Sequence, residues 1–197
     1  MNGMEILALA EENQRKARQL VVDSGIVELW QAAGVEVRPV GSLPTGLLMK
    51  HRDIDFHLYS DRPDPAADFS VMAGLAADRA TERIEFANLL ATPEECLEWH
   101  VWYRAPDHEL WQFDLIHIRR GSRYDGHFET VAARISEQLT PELRLTILTL
   151  KNETPDTEKI MGIEYYQAVF QDGIRNYAAF QEWRRQHPVT GIVEWLP

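Results

Sequence analysis

Cysteine is almost absent from this 197-residue chain, and the single Cys96 excludes an internal disulfide and any zinc site built from a cysteine cluster. Positive charge is also scarce. Twenty Lys and Arg stand against 31 Asp and Glu, a formal net charge of −11. That balance disfavours DNA or RNA as a partner, because such binding draws most of its affinity from cations placed on phosphates. No apolar run is long enough to cross a bilayer, so no membrane partner is expected. The opening MNGMEILALAEENQRKARQL carries Glu5, Glu11 and Glu12 where a signal peptide needs basic residues followed by an apolar block, which points to a cytoplasmic protein. The glycine-rich phosphate loops GxGxxG and GxxxxGKS/T, the HExxH zinc motif and the GxSxG nucleophile elbow are all missing. No internal repeat or low-complexity tract is visible.

What is present suffices for a real core: 45% of residues are hydrophobic. Residues 5–22 place Ile6, Leu9, Ala10, Asn13, Ala17, Leu20 and Val21 on one helical stripe, and a second helix runs from near Ser24 to Gly34. The period then changes to two. Val35, Val37 and Val40 read as a strand ending at Gly41-Ser42, and Ile54, Phe56 and Leu58 alternate with Asp53, Asp55 and His57 in another. A short helix over 66–77 follows. Arg83 to Leu90, Leu97 to Arg104 and Leu110 to Ile118 read as strands, the last two joined across the APDHE turn as an antiparallel hairpin. From Phe128 the pattern is helical. One helix carries Val131, Ile135 and Leu139, another starts at Thr140-Pro141-Glu142, and a last one carries Ile163, Tyr166, Phe170, Ile174 and Tyr177 to His187. The expected fold class is α+β (α/β), a mixed twisted sheet with flanking helices, divided into a sheet domain over 1–125 and a C-terminal helical subdomain over 126–197.

Aspartate is a poor strand former, and Asp53 and Asp55 project from the same side of their strand, about 7 Å apart by the two-residue repeat. If Trp111, Phe113 and Leu115 face the core, then Gln112, Asp114 and Ile116 face the other way, and a neighbouring strand aims Asp114 at the first two acids. Three gathered carboxylates repel one another unless divalent cations occupy them, and hard oxygen donors suit Mg²⁺ or Mn²⁺. The motif Val40-Gly41-Ser42, ten further residues, Asp53-Ile54-Asp55-Phe56 and the later Phe113-Asp114-Leu115 resembles the signature of the nucleotidyltransferase superfamily that includes DNA polymerase beta. The resemblance covers about residues 35–120 and implies a nucleotidyltransferase-type fold. It implies that Asp53 and Asp55 ligate the metals, that Asp114 ligates the catalytic one and helps deprotonate the acceptor, and that the Gly41-Ser42 turn holds an NTP triphosphate such as that of ATP. The sheet-then-helices layout is similar to that of small bacterial antibiotic-modifying members.

Other residues are weighed against blander roles. Pro44 and Gly46 interrupt the helix expected after the turn, leaving one short turn after Thr45. Lys50, with His51 and Arg52, is a candidate for the triphosphate, against a solvated edge. Lys151 is a candidate for the β- and γ-phosphates, against snorkelling to solvent. His57 is a candidate partner of a phosphate or an aspartate, against a plain polar residue. The tryptophans are read as core, with stacking on a base or acceptor ring as the sharper alternative for one of them. The sequence thus favours a Mg²⁺-dependent nucleotidyltransferase with an NTP and a small-molecule acceptor. Glu153, Asp156, Glu158 and Glu164 point to a cationic, aminoglycoside-like acceptor. A non-catalytic nucleotide-binding or protein-binding, antitoxin-like member of the same fold is the competing reading.

Overall fold

Asn2 starts the first helix: its side chain accepts from Glu5 N at 3.1 Å while Glu5 accepts from Asn2 N at 2.8 Å, a reciprocal cap that satisfies two otherwise unpaired donors. A computed structural model describes residues 1–189 and 191–197. In chain order the elements are α1 Gly3–Ser24, α2 Ile26–Ala32, β1 Glu36–Val40, α3 Ser42–Thr45, β2 Asp53–Ser60, α4 Pro65–Ala76, β3 Thr81–Asn88, β4 Cys96–Arg104, β5 Leu110–Arg119, α5 His127–Gln138, α6 Pro141–Glu153, α7 Gly162–Phe170 and α8 Tyr177–Gln186.

The five strands form one sheet in the order β1-β2-β5-β4-β3. Only β2 and β5 run parallel; the other neighbours are antiparallel, so the sheet is mixed as expected. Strand alternation sorts the side chains by face. Ile54, Phe56, Leu58, Trp99, Val101, Trp111, Phe113 and Leu115 pack with Ala17 and Leu20 of α1, Ile26 and Trp30 of α2, and Met72 and Leu75 of α4 in one core. A second core joins Ile6 and Ala10 of α1 to Ile135, Ile147, Leu150, Tyr165, Val169 and Phe180 of the later helices, with Leu47 and Met49 between. Helix α1 contributes to both cores and ties the sheet to the helical half.

Two expectations need correction. The last helix is two helices, α7 and α8: Gly173 takes φ +65° and Asn176 caps α8 by accepting from Ala179 N at 3.0 Å, so the stripe through Ile174 crosses a turn. The short helix near the Gly-Ser turn starts at Ser42, directly after Gly41, and contains Pro44. A proline in the first turn costs no hydrogen bond, because its N–H would be unpaired there anyway. Gly46, at φ +71°, ends that turn.

The core face also holds a polar chain. Ser60 Oγ and His117 Nε2 are 2.8 Å apart, His117 Nδ1 and Asp68 Oδ1 2.9 Å apart, and Trp99 Nε1 donates to Asp68 at 3.2 Å. Asp68 and His117 are each 2% exposed, so the network fastens α4 to the sheet from inside. Replacing Asp68 with Ala leaves two buried donors unpaired, and urea unfolding at pH 7 should show a loss of about 3 kcal/mol.

Candidate active site

Strand β1 ends beside Asp55: Val40 is the register partner of Asp55, and the next residue turns away. Gly41 has φ +70° and ψ −138°, and a Cβ placed on it would lie 2.2 Å from Asp55 Oδ2. Conformation and crowding both demand glycine here. The turn is fixed from within by Thr45, whose hydroxyl donates to Gly41 O at 3.0 Å. From across the cleft, Lys151 Nζ donates to Ser42 Oγ at 2.9 Å, to Leu47 O at 3.0 Å and to Tyr166 Oη at 3.1 Å, while Tyr166 Oη and Ser42 Oγ are themselves 3.1 Å apart. Lys151 is buried and does not snorkel, which corrects the solvent reading. Among the described residues no carboxylate lies in ion-pair contact with it; its three oxygen partners replace the lost hydration.

On the open face of the sheet the register writes two rows. Asp55 of β2 lies opposite Asp114 of β5, which lies opposite His100 of β4. Asp53 lies opposite Gln112, and Gln112 opposite Trp102. Burial in the cleft floor, then repulsion from Asp53 and Asp114, holds the Asp55 carboxyl well above its ordinary value, while the Lys151 cation works in the other direction. Asp114 Oδ1 is gripped twice, by His100 Nδ1 at 2.5 Å and by Gln112 Nε2 at 2.6 Å. That bond to Asp114 raises the His100 pKa. His57, next on the Asp55 face, is pushed down to about 4 by burial and then by the nearby His127, so it is neutral at pH 7; its ring meets Phe128 edge-on at 5.0 Å.

Gly41, Ser42, Lys50, Asp53, Asp55, Asp114 and Lys151 all line one cleft of about 1040 Å³ between the sheet and the helical half. Lys50 is tied to Asp156 at 2.8 Å and Arg52 to Glu109 at 2.6 Å. Among the described residues no group of three or more Asp, Glu, His or Cys side chains is already arranged to hold a metal ion. The donor set nonetheless fits a divalent cation. It offers carboxylate oxygens from neighbouring strands on a buried cleft floor, where Asp53 and Asp114 add repulsion to the burial of Asp55. The sequence reading missed His100, Gln112 and Tyr166. The first two had a signal, because counting outward symmetrically from Asp107 in the hairpin pairs 100 with 114 and 102 with 112; Tyr166 had none.

Comparison with solved structures identifies the fold. A GLD-2–GLD-3 poly(A) polymerase complex superposes with a TM-score of 0.56 at 11% identity, over 95% of this chain and 64% of that one. Cid1 poly(U) polymerase with MgGTP bound gives 0.59 at 14% identity, over 85% of this chain and 54% of that one. A cytoplasmic RNA terminal U-transferase gives 0.54 at 15%, over 85% and 53%. The chain therefore has the fold of the DNA polymerase beta-like nucleotidyltransferases, and spans about half to two thirds of the length of these neighbours. No family model and no curated protein matches it.

Two measurements test this geometry. Gly41→Ala should lower stability by about 1–2 kcal/mol, from the strained φ alone, and more if Asp55 cannot yield. The raised Asp55 pKa means that the folded, metal-free chain holds a proton the unfolded chain releases near the ordinary 3.8. Stability should therefore fall as pH rises from that value through the folded-state pKa, and Asp55→Asn should flatten this slope in urea titrations and stabilise the chain at pH 7 by about 1–2 kcal/mol.

Proposed function

We propose that the chain is a divalent-cation-dependent nucleotidyltransferase that moves a nucleoside monophosphate from an NTP to an acceptor hydroxyl and releases pyrophosphate. The observation that carries this reading is the parallel register setting Asp55 against Asp114 on the open face, with Gly41 packed on Asp55 from β1. The neighbours support it: poly(A) polymerase, poly(U) polymerase and RNA terminal U-transferase are all names for nucleotidyl transfer, and one was solved with MgGTP.

Asp53, Asp55 and Asp114 are the residues that would hold Mg²⁺ or Mn²⁺. Bound there, the cation would offset charge on the phosphates and lower the pKa of the acceptor hydroxyl. The backbone at Gly41 and the Ser42 hydroxyl would seat the triphosphate, and Lys151 would turn from Ser42 and Tyr166 toward the outer phosphates. Lys50 would join them on release from Asp156. The acceptor oxygen attacks the α-phosphorus, the bond to pyrophosphate breaks, and the acceptor proton passes to Asp114 Oδ2, which no protein donor engages among the described residues. The grip of His100 and Gln112 on Oδ1 leaves that oxygen to face the reaction. A small-molecule acceptor, favoured over nucleic acid, remains part of the proposal on the strength of the −11 net charge. Its cationic character loses support, because Glu158 and Glu164 are taken up by Arg184.

Calorimetry with Mg²⁺ and each of the four NTPs should show metal-dependent binding by the wild type and none by the Asp53→Ala/Asp55→Ala variant. Equal binding by both would remove the proposal. Lys151→Met should weaken NTP binding by roughly 10- to 100-fold while the cleft still takes up Mn²⁺, since the lost group is a phosphate partner and not a metal ligand.

A further inference from the structure

Six tryptophans are spread along the chain, and Trp30, Trp99 and Trp111 lie in the sheet core at 1% exposure or less. Trp102 does not. It alternates out of β4 onto the open face, half-buried, and lines the same cleft as Asp53, Asp55 and Asp114. It stands in the row Asp53–Gln112–Trp102–Arg83, and the Arg83 guanidinium covers the ring at 4.3 Å from its centroid. Arg83 is in turn held by Glu85. On the other side stands Gln112, whose amide is drawn along its own strand to Asp114 at 2.6 Å. Asp53 and Trp102 are thus two strand spacings or about 10 Å apart across β5, with Gln112 between them, and all three line the cleft. An indole covered by an arginine, with the His100 ring 6.4 Å away, that lines the cleft offers a stacking surface to a planar ring.

Its position fits one role. The Gly-Ser turn and Lys151 lie on the β1 side of the carboxylates; Trp102 lies on the β4 side, past Asp114. Resting on the nucleotidyl-transfer reading above, we propose that Trp102 is the acceptor platform: a planar ring of the acceptor stacks on the indole, and the hydroxyl to be modified reaches Asp114 in the adjoining row. The acceptor is then an uncharged, ring-bearing hydroxyl compound and not a polycationic saccharide. Of the acids that would draw a polycation, Glu158 and Glu164 are engaged by Arg184. Two cations beside the row, Arg83 and Arg52, are themselves paired with Glu85 and Glu109.

The test uses the full chain with Mg²⁺ and an ATP analogue whose α–β bridge is a methylene, so that the nucleotide seat is filled and no transfer occurs. Adenosine is then titrated as the ring-bearing probe and kanamycin as the saccharide. The expected result is adenosine binding that weakens by roughly 5- to 150-fold in Trp102→Ala, is largely kept in Trp102→Phe, and exceeds kanamycin binding in the wild type. Unchanged analogue affinity in Trp102→Ala shows that the fold and the nucleotide side are intact. Absent or Trp102-independent adenosine binding beside bound analogue, or tighter kanamycin binding, overturns the platform and leaves the transfer reading standing. Failure of the analogue to bind the wild type overturns the transfer reading itself, and the platform with it.

Discussion

Two like charges set face to face across a parallel strand pair govern this molecule. Strands β2 and β5 are about 4.8 Å apart, and their register puts the carboxylates of Asp55 and Asp114 directly opposite, with Asp53 on the same face. Like charges opposed in this way destabilise a sheet. Burial first and this repulsion second raise the Asp55 pKa, and Asp114 is held by a double grip. Around that concentration of charge the cleft is organised by what each group can tolerate: a bare glycine on one flank, imidazole and amide donors on the other, and a buried cation above.

The cation comes from the far end of the chain. Lys151 sits in α6 and Tyr166 in α7, and both close on Ser42, more than a hundred residues earlier in sequence. This link works only because the helical half is anchored. Helix α1 supplies Ile6 and Ala10 to one core and Ala17 and Leu20 to the other, so a single rigid element carries both walls of the cleft. A buried ammonium needs its lost hydration replaced, and three oxygens from three segments do so at 2.9–3.1 Å. Packing and polar satisfaction thus hold the same pieces together.

Much of this was legible along the chain because strand alternation is a local property. DIDF and QFDL each announce which acids leave the core, and the structure puts Asp53, Asp55 and Asp114 on the open face while Ile54, Phe56, Phe113 and Leu115 are buried. The hairpin likewise carries its own register, since a turn centred on Asp107 forces His100 opposite Asp114. The final helix misled for the opposite reason. An apolar stripe ran unbroken through Ile174, yet Gly173 and Asn176 supplied a stop and a cap, and local backbone conformation outweighed periodicity. Lys151 could not be placed from its neighbours, because a lysine ending an apolar helix run snorkels or stays buried according to what stands opposite it.

Most of the elements and the faces of the strands could be read from the chain alone, because each depends on residues within a few positions of one another. Tertiary structure decided that β2 and β5 are neighbours and parallel, that α6 and α7 bring Lys151 and Tyr166 to Ser42, and that Trp102 stands in the row of Asp53. Those facts depend on which surfaces bury one another across the chain, and no short stretch of residues contains that information.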